Sequence, residues 1–307
     1  MPFRQNGLFC IVDGHIGMNP TISIVTPSLN QAQFLEDAIL SVLNQNYANI
    51  EYMIIDGGST DGSKDIIHKY KDRLTYWCSE PDGGQYEAIN KGFSKSTGEI
   101  MAWLNADDKY TPWAFHIAAE IFSTFEEVEW LTTLYPIIFD QYGHAVNCSL
   151  RDGFTRRAFY RGENLPGAGW YARGFIQQES TFWRRTLWER AGGYIDKSYQ
   201  LAGDFELWAR FYKYAELWGV KTPLGGFRRH ENQKTAHYMD LYIKEATQIL
   251  KLHGGKPSGK LRCYVHMKLH QHMPRRLRPL AIRLGLLDAK RICHNTGRQG
   301  TWKVEMR

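Results

Sequence analysis

The chain is short of cysteine and has no long apolar run. Five cysteines (Cys10, Cys78, Cys148, Cys263 and Cys293) are scattered over 307 residues with no CxxC spacing. An odd, dispersed set argues against a disulfide framework or a zinc ribbon and fits a reducing compartment. No apolar stretch approaches the roughly 18 residues of a membrane span. The N-terminus has no charged region leading into a long apolar core, so no secretory signal is expected. These absences predict a soluble, cytoplasmic protein. Acid is also nearly missing from one end. Residues 256–307 hold thirteen Lys or Arg against Asp288 and Glu305, a net of +11, which leaves 25 basic and 30 acidic residues, a net of −5, in the remainder. A mildly acidic body thus carries a basic tail. The ordinary charge content, 23%, and plentiful aromatics, 14%, are those of a globular protein with room for one large domain or two small ones.

What is present is organised around Trp103-Leu104-Asn105-Ala106-Asp107-Asp108. Residues 99–104 predict a buried strand after the turn residues Thr97 and Gly98, and a helix is expected from Pro112, with Ala114, Phe115, Ala118, Ile121, Phe122 and Phe125 at helical spacing. The two carboxylates then lie at the carboxyl end of a central strand, in the crevice where open α/β sheets bind ligands. Adjacent carboxylates repel, and a divalent cation that joins them to a diphosphate relieves the repulsion. The alternative is a helix cap at Asp107 or Asp108.

Three similar units precede this one. Ile22–Thr26 predicts a strand ended by Pro27, followed by an amphipathic helix on Leu35, Ala38, Ile39, Val42 and Leu43. Glu51–Ile55 predicts a second strand running into Asp56-Gly57-Gly58-Ser59-Thr60-Asp61-Gly62-Ser63, a polar glycine-rich turn before a helix, as in nucleotide pockets. This turn is not GxGxxG and lacks the GK[ST] of a P-loop, so neither a dinucleotide fold nor an ATPase is supported. Leu74–Cys78 predicts a third strand, then Asp82-Gly83-Gly84 and a helix on Ala88, Ile89, Gly92 and Phe93. Four β-α units imply an α/β fold with a doubly wound, mostly parallel sheet, whose polar loops meet at one edge.

Val25-Thr26-Pro27-Ser28-Leu29-Asn30, Ile54–Gly62, Asp82-Gly83-Gly84 with Asn90-Lys91-Gly92, and Asn105-Ala106-Asp107-Asp108, in that order, resemble the family 2 glycosyltransferases of GT-A fold. Matches at Gln177–Trp183, Gly203–Trp208 and Phe227–His230 extend the likeness to about residue 235. The resemblance implies an inverting, metal-dependent transfer of a sugar from a nucleotide-diphosphate sugar donor to a glycan or lipid-linked acceptor, in cell-surface polysaccharide biosynthesis. It implies that Thr26, Pro27, Ser28 and Asn30 line ribose and base, that Asp56 accepts a hydrogen bond from the base, and that Asp82, Lys91, Asn105 and Asp107 border the nucleotide. Asp108, with His230 returning from later in the chain, would hold Mn²⁺ or Mg²⁺, and Asp204 would be the general base, with Glu206 and Glu179 as weaker candidates. Asp56 could equally start an Asx bend, Lys91 be a solvated helix residue, and Asp204 an N-cap. A sugar nucleotidyltransferase and a catalytically inactive binding scaffold are the alternatives. The first would need a basic phosphate loop directly after the first strand, the second a lost carboxylate, and neither feature is seen.

The expected organisation is an N-terminal extension (1–20), a GT-A domain (21–253) with a nucleotide-binding half (21–110) and an acceptor-side half (111–253), and a basic helical tail (256–307). In the acceptor-side half, 130–135 and 145–149 are expected as antiparallel strands around a turn at 141–144. Residues 151–176, rich in Gly, Arg and aromatics, are either a plain surface loop or one that closes over the substrates. In the tail, Leu277, Leu280, Ala281, Leu284 and Leu287 share a helical face beside Arg275, Arg276, Arg278 and Arg283. That face suits either an anionic membrane surface, with the enzyme peripheral on its cytoplasmic side, or packing on the core; nucleic acid is not expected.

Overall fold

The computed structural model describes residues 19–165, 174–257, 273–277, 280–281, 289–295 and 301–306. The expected extension lies almost wholly outside them, as does most of the basic tail.

The chain runs β1 (Ile22–Ser28), α1 (Ala32–Leu43), β2 (Ile50–Asp56), α2 (Ser63–Tyr70), β3 (Tyr76–Ser79), α3 (Gln85–Phe93), β4 (Ile100–Trp103), β5 (Lys109–Tyr110) and α4 (Ala114–Thr124). It continues with β6 (Trp130–Thr133), β7 (Ile137–Phe139), β8 (Ala145–Cys148), α5 (Arg156–Tyr160), β9 (Phe182–Arg184), α6 (Arg185–Arg190) and α7 (Gly203–Tyr214). It ends with β10 (Trp218–Val220), β11 (Gly225–Arg228), α8 (Lys234–His237), α9 (Met239–Leu252), β12 (Lys290–His294) and β13 (Trp302–Met306).

The main sheet has the order β13-β12-β10-β6-β9-β4-β1-β2-β3. Strands β3, β2, β1 and β4 are mutually parallel, as are β6, β10 and β12, while β9 runs antiparallel between the two groups. The loops after β1, β2, β3 and β4 therefore open at one edge. β1 and β4 are buried at every position; β4 is accordingly an unbroken apolar run, while β1 also buries the hydroxyls of Ser23, Thr26 and Ser28. A second sheet, β5-β11-β7-β8, stands at the mouth of that edge.

Two expectations change. Residues 130–133 and 145–148 do not pair with each other. β6 joins the main sheet, and the hairpin around the turn at 140–143 is formed by β7 and β8. The end of the tail is not helical either. β12 pairs in parallel with β10 and antiparallel with β13, and together they extend the main sheet. Ile292 and Trp302 enter the core, and Arg291, fully buried, donates from Nε to the Asp152 carbonyl at 3.0 Å. Of the amphipathic face, Ala281 is buried while Leu277 and Leu280 are exposed; Leu284 and Leu287 lie outside the described residues.

Beneath the sheet edge sits an aromatic layer. Trp103 of β4 stacks on Trp208 of α7 with centroids 6.0 Å apart, and Trp183 and Trp130 close the cluster at 5.5 Å and 5.4 Å. Each indole in such a cluster buries a large apolar area, so α7 is held firmly against the strand that carries the Asp pair.

Deleting residues 289–307 should leave β10 an open edge and unseat Trp302 and Ile292. The midpoint of thermal unfolding is expected to fall by about 5 °C or more, with increased light scattering. An unchanged midpoint by calorimetry would show that the hairpin is dispensable.

Candidate functional site

The first two loops are built as one unit. Asp61 accepts from the Ala32 amide at 2.9 Å through one oxygen and from the Ser63 amide and hydroxyl at 3.0 and 2.7 Å through the other, so one carboxylate caps both α1 and α2. Asn30, at φ 53°, donates its amide to the Ser59 hydroxyl and accepts the Thr60 amide. Asp56 is fully buried. It accepts from the Ser59 amide and hydroxyl, the Gly58 amide and the Ser79 hydroxyl at 2.5–3.2 Å, so it organises the loop and turns no oxygen toward the cavity. The Asx-type bend, one of the two readings of Asp56, is the arrangement found. Thr26 is likewise buried against the Tyr52 hydroxyl. Lys91 pairs with Glu80 on the outer side of α3, away from the cavity, so the expected role beside the nucleotide is not supported.

After β4 the two aspartates part. Asp108 is fully buried; its Oδ1 accepts the Arg228 amide at 2.8 Å and its Oδ2 the Asn105 side chain at 3.1 Å. Burial first, then the charges of Asp107 and Glu179, hold its carboxyl well above the usual carboxylate range. Asp107 faces the cavity, and its Oδ2 lies 2.9 Å from Nε2 of His230. Of the two expected metal ligands, His230 meets Asp107 at the cavity, while Asp108 points inward to bind β11. Phe34 packs on the His230 ring at 4.4 Å. Asn105 is tied to Gln85 at 2.7 Å.

The opposite rim is the start of α7. Gly203 donates its amide to the Tyr86 hydroxyl at 2.9 Å, and Tyr86 donates in turn to the Leu201 carbonyl at 2.6 Å. A Cβ at Gly203 would stand 2.7 Å from the Tyr86 ring, so only glycine lets the helix start this close. Asp204 follows, as the second helical residue and not the cap, which is Ala202. Burial pushes its carboxyl up to about 7, against hydrogen bonds from the Phe205 amide and, at 3.4 Å, the Tyr242 hydroxyl. Glu206 turns away from the cavity and is held by Arg210 through both oxygens.

Between the rims lies Glu179, in a short 3₁₀ turn (Gln178–Ser180) after β8 and α5. Gly225 of β11 presses on this turn, since a Cβ there would come within 2.4 Å of the Glu179 carbonyl. Glu179 is 3% exposed and its Oε1 has no partner. Burial raises its carboxyl to about 8, and the charges of Asp107 and Asp204 act in the same direction.

One cavity of about 1050 Å³ collects these groups. Of the expected site residues it brings together Pro27, Ser28, Asp82, Asn105, Asp107, Asp204 and His230. It leaves out Thr26, Asn30, Asp56, Lys91 and Asp108. Ser28 Oγ is buried without a partner, and Asp82 accepts the Gly84 amide at 2.8 Å. Tyr86, Gln85, Gln178 and Tyr242 also line it, and sequence reasoning had no role for them. Gln178 fell within a matched segment; the other three offered only a helical pattern. The loop expected to close over the substrates is described only in part, as α5 and its flanks.

The sheet and crevice define an α/β architecture whose strand-end loops line one ligand-sized cavity. The sequence profile of glycosyl transferase family 2 matches residues 23–180, just over half of the chain, and the chain belongs to that family. An uncharacterised glycosyltransferase of Rickettsia prowazekii is 26% identical over 217 residues, 71% of this chain and 66% of that protein. A putative teichuronic acid biosynthesis glycosyltransferase of Bacillus subtilis, TuaG, is 36% identical over 94 residues, 30% of this chain and 37% of that one. The matched segments thus span about two thirds or less of these curated relatives. Among solved structures, S. aureus TarS 1–349 in complex with UDP-GlcNAc superposes with a TM-score of 0.57 at 14% identity, covering 86% of this chain and 79% of that truncated chain. The mannosyltransferase PcManGT from Pyrobaculum calidifontis, with GDP-Man and Mn²⁺, gives 0.54 at 16% identity, covering 88% and 74%. The fold is GT-A, a mostly parallel α/β sheet.

The Glu179 carboxyl titrates near 4.5 when unfolded and at about 8 when folded. Its proton is bound more tightly in the folded state, so this contribution to stability is complete below pH 4.5 and lost as pH rises toward 8. Glu179→Gln removes the loss. In chelator, the gap in unfolding midpoint between variant and parent should widen in the variant's favour from pH 5 to pH 8. A gap independent of pH would show that Glu179 is ionised in the resting fold.

Proposed function

We propose that the chain transfers a hexose from a nucleotide-diphosphate sugar to a glycan or lipid-linked acceptor with inversion, in polysaccharide biosynthesis. The observation that carries this reading is the single crevice holding Asp107 and His230 on one rim and Asp204 on the other. Family membership supports transfer as the reaction. The relatives named for TuaG's teichuronic acid pathway, for UDP-GlcNAc and for GDP-Man support a nucleotide-sugar donor and a surface polymer as product.

Pro27, Ser28 and Asp82 would line the nucleoside. Asp107 Oδ2 and His230 Nε2 fit a divalent ion, Mn²⁺ or Mg²⁺. They are one oxygen and one nitrogen donor on the cavity wall, and among the described residues no third His, Cys, Asp or Glu joins them, so the diphosphate and water would complete the shell. When bound, that ion supplies positive charge to the leaving diphosphate. Asp204 would take the proton of the acceptor hydroxyl. A carboxyl raised to about 7 is a better base than one near 4 and is about half ionised at neutral pH. One displacement assisted by one base inverts the attacked carbon. The basic tail would add attraction to an anionic membrane, worth about 1 kcal/mol per Lys or Arg near the surface. Among the described residues no helix is long and apolar enough to cross one.

Asp204→Asn should lower kcat by about 10²–10⁴-fold and abolish an ascending limb near pH 7, with KM for the donor little changed. Retention of configuration by NMR, or a normal rate in this variant, would overturn the assignment. Asp107→Asn should remove the metal-dependent part of nucleotide binding by calorimetry while Asp108→Asn lowers thermal stability. The reverse pattern would return the metal to Asp108. For the tail, deletion is a poor test, because it takes β12 and β13 from the sheet. Replacing Arg275, Arg276, Arg278 and Arg283 with Gln should release the protein from anionic vesicles at low salt. Unchanged co-sedimentation would count against membrane attraction through these residues.

A further inference from the structure

The wall between the two rims has a polarity that the proposed reaction does not by itself require. Gln177 donates its amide nitrogen to the Ile137 carbonyl at 3.1 Å, and Gln178 donates its own to the Trp103 carbonyl. Each carbonyl partner fixes the orientation of its amide, so the side-chain oxygen is the end left over. In both residues that oxygen is buried and has no partner, and the same holds for Oε1 of Glu179. Gln178 is 7% exposed and Glu179 3%, and all three residues line the cavity. An unsatisfied buried acceptor is costly and rare in a native fold, and three in consecutive residues facing one cavity call for a ligand that donates.

The position says which part of the ligand. Glu179 feels the charges of both Asp107 and Asp204. On the reading above, Asp107 faces the diphosphate and Asp204 the acceptor hydroxyl, and the group joined to the one and attacked from the side of the other is the transferred sugar.

We propose that Gln177, Gln178 and Glu179 form the subsite for the transferred sugar and select an uncharged ring whose hydroxyl or amide N–H groups donate to them, excluding uronates. This rests on the nucleotide-sugar reading. A carboxylate on the ring would offer acceptors to the orphaned glutamine oxygens and add a negative charge beside Asp107 and Asp204. A neutral sugar with its hydroxyls intact satisfies the orphaned oxygens.

The test is calorimetric binding with Mn²⁺ of matched pairs that differ only at C6, UDP-glucose with UDP-glucuronate and GDP-mannose with GDP-mannuronate. Each is expressed as a ratio to the bare nucleoside diphosphate, so that the base and metal contributions cancel. For whichever base binds, the neutral sugar should bind at least about tenfold more tightly than the uronate, the discrimination of a site built to hydrogen-bond its ligand. Gln178→Met and Glu179→Gln should each shrink that ratio, and bare diphosphate binding reports that the variants are folded. Equal or tighter binding of the uronate overturns the proposal, as does a ratio that neither variant moves. If neither UDP nor GDP, with or without sugar, is bound, the nucleotide-sugar reading itself fails and takes this inference with it.

Discussion

The site depends on one strand edge gripping one turn. Arg228, at the end of β11, donates its backbone amide to Asp108, its Nε to the Asp107 carbonyl at 2.7 Å, and its Nη2 to Asp37, while its guanidinium lies over the Phe34 ring at 5.1 Å. Two residues on, His230 meets the Asp107 side chain. The acidic turn after β4 would otherwise be two like charges at a sheet edge, free to swing apart. Clamped from β11, it must send Asp108 inward and Asp107 outward. The guanidinium is almost fully buried and keeps its partners, which is the condition under which a buried charge is tolerated.

The same clamp explains what could and could not be read from the sequence. The nucleotide half was legible because it is local. Apolar runs at β1, β2 and β4 alternate with amphipathic helices, and each polar loop follows its strand directly. Which aspartate of the pair faces the cavity was not legible, since the choice is made by β11, some 120 residues later. The surroundings of Asp56 were not legible for a related reason. Its acidity suggested a ligand contact, but Ser59 and Ser79 supply enough donors to engage it within the protein. The helical expectation for the tail failed at β12 because Arg291 stands at a core position. Its long-range contacts with the Arg151 and Asp152 carbonyls and the Asp152 carboxylate make that placement acceptable. The alternation of Trp302 and Val304 was the available signal for β13, and the high density of basic residues masked it.

Glu179 shows the limit of motif reasoning from the other side. The segment 177–183 was recognisable, but nothing in its residue types says that two glutamines will spend their amide nitrogens on the Ile137 and Trp103 carbonyls and leave their oxygens buried without a partner. That outcome follows from the approach of Gly225, which pushes the turn toward β4, and from the short link between β9 and the residues before it. Polarity at this wall is a tertiary property of three elements.

A crevice that buries Glu179, Asp108 and part of Asp204 works against the fold, since burial raises the carboxyl of each and their charges add to one another. The compensation lies directly beneath. Trp103 borders the cavity and its indole stacks on Trp208, so the strand bearing the acidic turn and the helix bearing Asp204 share one aromatic layer. Relaxing the acidic wall outward would require separating those indoles, each of which buries a large apolar area. The carboxylates are thus kept close by packing they do not themselves contribute to. Stability at the bottom of the crevice maintains the electrostatic tension at its mouth, where a cation and donor hydroxyls would relieve it.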